Sequence, residues 1–151
     1  MMRSGRTSAD YSRVVAIKAP IERTFEAIAT TKGVRGWWTP LVTETGKKNE
    51  TIRLEFEGMD EHIDMRVTAL QRPLEVIWLI VEHSSLDEWA GTSLHFKLHS
   101  LEKNKCTLEF CHEGLSPKLT CYDDCEIGWD HFLASIVALA EHGKGSPFGS
   151  S

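Results

Sequence analysis

Several signatures that would commit this chain to a function class are missing from it. It has no G-x-S-x-G elbow, no H-E-x-x-H pair and no glycine-rich phosphate loop, so nucleophilic hydrolases, zinc peptidases and P-loop enzymes have no motif to rest on. No apolar run approaches the ~18 residues that a helical membrane span requires. Basic residues are outnumbered, 17 Lys and Arg against 22 Asp and Glu for a net charge of -5, and they are scattered, which argues against nucleic acid as a partner. Cysteine is sparse and unpatterned: Cys106, Cys111, Cys121 and Cys125 form no C-x-x-C. A chain of this size buries a core without cross-links, so buried or incidental thiols are expected; a zinc site joining Cys121 and Cys125 to a strand histidine is the alternative. The start, with Arg3 and Arg6 but no apolar segment behind them, reads as a flexible polar leader over residues 1–10 of a cytoplasmic protein. Residues 11–148 are expected to form one domain and 149–151 a tail.

What is present organises around the stretch from Thr120 to His142. Cys125, Trp129, Phe132, Leu133, Ile136 and Ala140 recur at helical spacing and define a buried stripe, while Asp124, Gly128, His131, Ser135, Ala138 and His142 fall opposite as a solvent face. Ile127 is a misfit. Thr120 and Asp123 resemble a capping box, and Gly143, Gly145 and Pro147 stop the helix.

Before this helix the period is mostly two. Tyr11 to Lys18 alternates as a first strand. Pro20 opens a short helix with Ile21, Phe25 and Ile28 on one face, and Val34 to Leu41, with its paired tryptophans, is a second short helix or a tight connector. Ile52, Leu54 and Phe56, then Ile63, Met65 and Val67, mark a hairpin. Leu74 to Val81 is almost wholly apolar, which predicts a strand covered on both faces, by the first helices or by another subunit. Leu94, Phe96 and Leu98, then Leu108, Phe110 and His112, mark two more strands, with His95 and His99 facing outward. The expected class is α+β: six antiparallel strands in a curved sheet, two short helices after the first strand, and a long C-terminal helix.

This order resembles the helix-grip fold of the START-like superfamily and, within it, the homologues of the activator of heat-shock-protein ATPase. The resemblance spans Tyr11 to Phe148. It is carried by Val15, Ile17, Ala19, Pro20, Phe25 and Ile28, by Trp37–Trp38, by Trp89, Gly91 and Thr92, and by the closing run Leu108, Phe110, His112, Gly114 and Leu115. Tyr122, Gly128, Trp129, Leu133, Gly145, Pro147 and Phe148 complete it. It implies a sheet wrapped around the last helix, an elongated cavity between them, and a chaperone partner. At this length the chain is expected to lack the additional domain that eukaryotic activators carry.

Three functions of different kinds follow. The first is a small hydrophobic or amphipathic ligand held between sheet and helix by Phe56, Met65, Trp78, Phe96, Phe110, His112, Trp129 and Phe132; the competing reading is that these side chains simply pack. The second is a chaperone-interaction module anchored by Trp37 and Trp38 if they are exposed. The third is a cyclase- or aromatase-like enzyme using His112, whose parity points it at the long helix, although a neutral, backbone-bonded imidazole fits as well. We expect a binding protein rather than an enzyme, with no cofactor or metal. The strand at Leu74 to Val81 or an edge strand is a candidate homodimer surface.

Overall fold

The computed structural model describes residues 10–44 and 51–149. The expected leader and tail lie outside those residues except for Asp10 and Gly149. The chain runs β1 (Tyr11–Ile17), α1 (Ile21–Ala29), α2 (Thr31–Trp37), β2 (Leu41–Glu44), β3 (Thr51–Glu55), β4 (His62–Gln71), β5 (Glu75–His83), a 3-10 turn (Asp87–Trp89), β6 (Ser93–Glu102), β7 (Lys105–Glu113) and α3 (Tyr122–His142). Seven strands pair antiparallel in the order β1-β7-β6-β5-β4-β3-β2. The sequence predicted six; the extra one, β2, is four residues long and sets buried Val42 between exposed Leu41 and Thr43, too short an alternation to register as a period. β1 and β2 are opposite edges, so α1 and α2 carry the chain across the sheet from one edge to the other.

Local chemistry explains the elements. Pro20 stands just outside α1, its carbonyl accepting the Thr24 N–H at 3.0 Å, and α1 buries Thr24, Phe25, Ala27 and Ile28. Thr30 ends α1 and caps α2, its Oγ1 accepting the Gly33 N–H at 2.9 Å. The two helices approach so closely there that a Cβ on Gly33 would lie 2.1 Å from the Ala27 carbonyl oxygen. The second short element is therefore a true helix, held by a glycine contact.

α3 buries Cys125, Trp129, Leu133, Ile136 and Ala140, and Gly143 closes it in the left-handed conformation with its N–H on the Leu139 carbonyl. Its start differs from expectation: Cys121 occupies the N-cap without a side-chain bond, and Thr120 donates to Glu88 instead. Ser135 is buried although it falls on the predicted solvent face, because residues 144–148 fold back over α2 and α3: Ser135 Oγ accepts the Ser146 N–H at 2.7 Å, and the Phe148 N–H reaches the Trp38 carbonyl at 2.7 Å. Phe132 is half-buried rather than core, and Ile127 is exposed. The far edge of the sheet is tied to α3 by Tyr11, whose buried hydroxyl donates to Asp130 at 2.6 Å, and by Arg13, which pairs with Glu126 at 2.9 Å.

Two further expectations are corrected. Trp37 and Trp38 are 0% and 3% exposed, stacked on one another at 5.2 Å between ring centroids, so neither offers a surface anchor for a partner. β5 is covered on one face only. Val76, Trp78 and Ile80 are buried under the helices, whereas Ile77 and Leu79 are half-buried and Val81 is 44% exposed on the side that no element of the described residues covers.

Candidate functional site: an aromatic cleft at the start of the long helix

The core does not fill the space evenly. Between the first turns of α3 and the end of the sheet formed by β3, β4 and β5, a cleft of about 480 Å³ remains, within the range typical of small-molecule sites. α3 contributes Cys121, Asp124, Cys125, Gly128, Trp129 and Phe132. Trp38 comes from the end of α2, Phe56 from the end of β3, and Phe148 from the returning C-terminal segment. The last two meet edge to face at 5.3 Å. Gly128 matters for the shape: a Cβ there would meet nothing within 4 Å, so the helix presents bare backbone to open space.

A chain of rings forms the inner wall. Phe132 lies 6.2 Å from Trp38, Trp38 5.2 Å from Trp129, Trp129 6.1 Å from the nearly parallel Trp89, and Trp89 5.0 Å from His83. Trp89 is placed by the 3-10 turn, and its Nε1–H donates to Cys125 Sγ at 3.3 Å. Burial pushes the Cys125 thiol up to about 12, with the neighbouring Cys121 thiol adding to the shift, so at neutral pH it is an inert thiol.

The polar groups of the cleft are few. His83 is buried and accepts the Leu86 N–H on Nδ1 at 3.0 Å, which leaves its proton on Nε2, 3.6 Å from Glu61 Oε2. Burial lowers the pKa of His83 and Glu61 opposes that shift only in part. It is therefore a neutral N–H donor facing a carboxylate.

Behind this wall His112 is fully engaged. Trp129 Nε1–H donates to its Nδ1 at 3.1 Å, and its Nε2 lies 2.8 Å from Thr92 Oγ1. Thr92 Oγ1 spends its own proton on the Trp89 carbonyl at 2.6 Å, so Nε2 must be the donor and the ring is neutral. Burial depresses its pKa to about 3. With both nitrogens occupied, His112 has no lone pair to offer a substrate. It positions Trp129 and Trp89 instead, and the acid-base role considered for it in a cyclase has no free atom to run on.

Of the residues that sequence reasoning placed around a cavity, the structure puts Phe56, Trp129 and Phe132 on the cleft wall. Met65, Trp78, Phe96, Phe110 and His112 are packed in the core and do not line it. Trp38, named for a partner, lines the cleft from inside. Sequence reasoning missed Glu61, His83 and Trp89 as members of the site. A bulge explains His83: β4 pairs Met65 with Ile80 but Ile63 with His83, so one residue of β5 is skipped and the parity set by Trp78 and Ile80 inverts. Trp89 was visible only as part of a family pattern, since no period marks a three-residue turn. Among the described residues the three-membered grouping of metal-competent atoms is His62, Asp64 and Glu82, with Asp64 already paired to Arg53 at 2.8 Å; Cys121 and Cys125 have no third ligand in reach.

Comparison with known proteins agrees with this architecture. The Aha1 protein of Colwellia psychrerythraea, whose solution structure is a dimer, is 29% identical, with a TM-score of 0.76 over 90% of this chain and 98% of that one. DynU16, from the dynemicin biosynthetic locus, shares the fold at 16% identity and a TM-score of 0.69, over 90% of this chain and 48% of its own. A protein of Chromobacterium violaceum does so at 14% and 0.70, over 87% and 96%. No curated protein matches the chain significantly. The model of the family described as activator of Hsp90 ATPase homolog 1-like protein matches residues 18–141, which is most of the domain, and the chain belongs to that family, with the START-like helix-grip fold.

Proposed function

We propose that the chain is a binding protein that holds a small amphipathic molecule in the cleft at the start of α3. The observation that carries this reading is the cleft itself: about 480 Å³ walled by six aromatic side chains and left open by Gly128 where any other residue would project into it. Glycine in mid-helix costs ~1 kcal/mol relative to alanine, and a packed core would have no use for that loss. Neither His83 on the wall nor His112 behind it has a free ring-nitrogen lone pair, which favours binding over histidine-based catalysis. The test is native mass spectrometry of freshly purified protein, followed by denaturing extraction. Adducts released on denaturation and lost in Gly128→Leu, with the variant still folded, are expected; adducts retained in Gly128→Leu would place the ligand elsewhere and sink this site.

A second reading rests on family membership. The family is described as activator of Hsp90 ATPase homolog 1-like, and the Colwellia psychrerythraea Aha1 is a dimer, which supports a chaperone partner and a homodimer for this chain. With Trp37 and Trp38 buried, a surface open to such contacts is the outer face of β5, where Ile77 and Leu79 are half-buried and Val81 is exposed. An Hsp90 ATPase rate unchanged by excess protein would remove the chaperone part of this reading.

A further inference from the structure

We propose that the cleft discriminates by charge, taking amphipathic molecules whose polar end is a quaternary or protonated amine in preference to fatty carboxylates or phosphate esters. This inference rests on the ligand-binding reading above and names the ligand class. Every formally charged residue on the lining is acidic. Glu61 and Asp124 stand there, and among the described residues no lysine or arginine joins them. The one basic side chain on the wall, His83, contributes no positive charge, because its Nδ1 is held by the Leu86 N–H and burial keeps the ring neutral. The Glu61 carboxylate lies beside the His83 N–H at 3.6 Å and has a second oxygen to offer.

The apolar part of the wall favours the same sign. Trp38, Trp89, Trp129, Phe56, Phe132 and Phe148 present ring systems whose faces are electronegative, and a cation near them gains while an anion is repelled. The opposing influence is the positive end of α3, which opens at the cleft with Cys121 as its N-cap. A helix N-terminus carries about half a positive charge, and the first turn of α3 already sets two carboxylates, Asp123 and Asp124, against it. The balance at the mouth is therefore negative. Arg13 and Arg53, which a fatty acid would seek, are committed elsewhere, to Glu126 and Asp130 and to Asp64.

The decisive experiment is calorimetric titration of the full chain at low ionic strength with three probes of one tail length: octyltrimethylammonium, octanoate and octan-1-ol. The cation is expected to bind at least tenfold more tightly than octanoate, with the alcohol between them. In the double variant Glu61→Gln, Asp124→Asn that ratio is expected to fall below threefold while the alcohol's affinity stays within twofold. Both positions reach solvent, so the fold should survive, and an unchanged melting temperature confirms it. The alcohol binding without preference between the two ions, or a cation preference that persists in the double variant, overturns the charge inference and leaves the binding reading standing. Failure of all three probes to bind overturns both.

Discussion

His112 occupies a position where adding a proton breaks more than it makes. Its Nδ1 accepts from Trp129 and its Nε2 donates to Thr92, so protonating Nδ1 would turn the Trp129 N–H against another donor in a buried site. With the folded pKa near 3 and an unfolded value of ~6.5, the unfolded chain binds the extra proton between those limits. Stability from this group is complete above pH ~6.5 and is lost as pH falls toward 3. Between pH 7 and pH 5 the unfolding free energy in urea is expected to drop by ~2 kcal/mol, and His83, whose pKa is also lowered, adds to the loss with the same sign. His112→Phe is expected to flatten that slope while costing ~2 kcal/mol at pH 7 from the orphaned Trp129 N–H; an unaltered slope in the variant would show that His112 is not the titrating group. The inward direction of this residue was legible from its parity with Leu108 and Phe110. Its bonding was not, since Thr92 and Trp129 come from distant parts of the chain. The same limit hid the fate of Trp37 and Trp38, which are covered in part by a segment more than a hundred residues later.

At the scale of the element, α3 and the segment that returns over it give opposite expectations for two glycines. Gly128 faces open space, so Gly128→Ala should raise stability by ~0.5–1 kcal/mol through helix propensity alone. Gly145 is wedged: a Cβ there would lie 2.6 Å from the Gly36 carbonyl oxygen and 2.8 Å from that of Ser135. Gly145→Ala should therefore lower stability by ~1–2 kcal/mol and loosen Phe148 from Phe56. Thermal or urea unfolding of the two single variants checks the pair, and a destabilised Gly128→Ala would mean that the cleft is closed in solution. The sequence announced α3 clearly, because a stripe of large apolar residues over 21 positions leaves little ambiguity of period. It mistook Ser135 for a solvent residue because periodicity assigns faces relative to one layer, and a second layer folds over this helix. The bulge in β5 is the counterpart in the sheet: an apolar run shows where a strand lies, and its pairing decides which residues face in.

For the whole molecule, the order of elements was enough to name the architecture, and the strand count failed only at the shortest strand. Less legible was which sheet face stays bare. The run from Leu74 to Val81 predicted two covered faces, yet all three helices lie on one side, and the opposite side sets Ile77 and Leu79 among Arg66, Ser93 and His95 with Val81 open at 44%. Such a strand is more apolar than a solvent face requires, and a second copy of the chain is the covering that the Colwellia psychrerythraea dimer suggests. The alternative is pairing through an edge. β2 is only four residues long, which leaves β1 as the usable edge, and pairing there would not involve β5 at all. Sedimentation at micromolar concentration is expected to give twice the 17.0 kDa chain mass. The substitution Val81→Lys then separates the two modes: this side chain is 44% exposed in the single chain, so the change should return the protein to 17.0 kDa without altering its melting temperature if the outer face is the interface. A dimer that survives the substitution would assign association to β1, and a mass of 17.0 kDa for the unmodified chain at 100-fold higher concentration would mean that the bare apolar face is tolerated by the monomer.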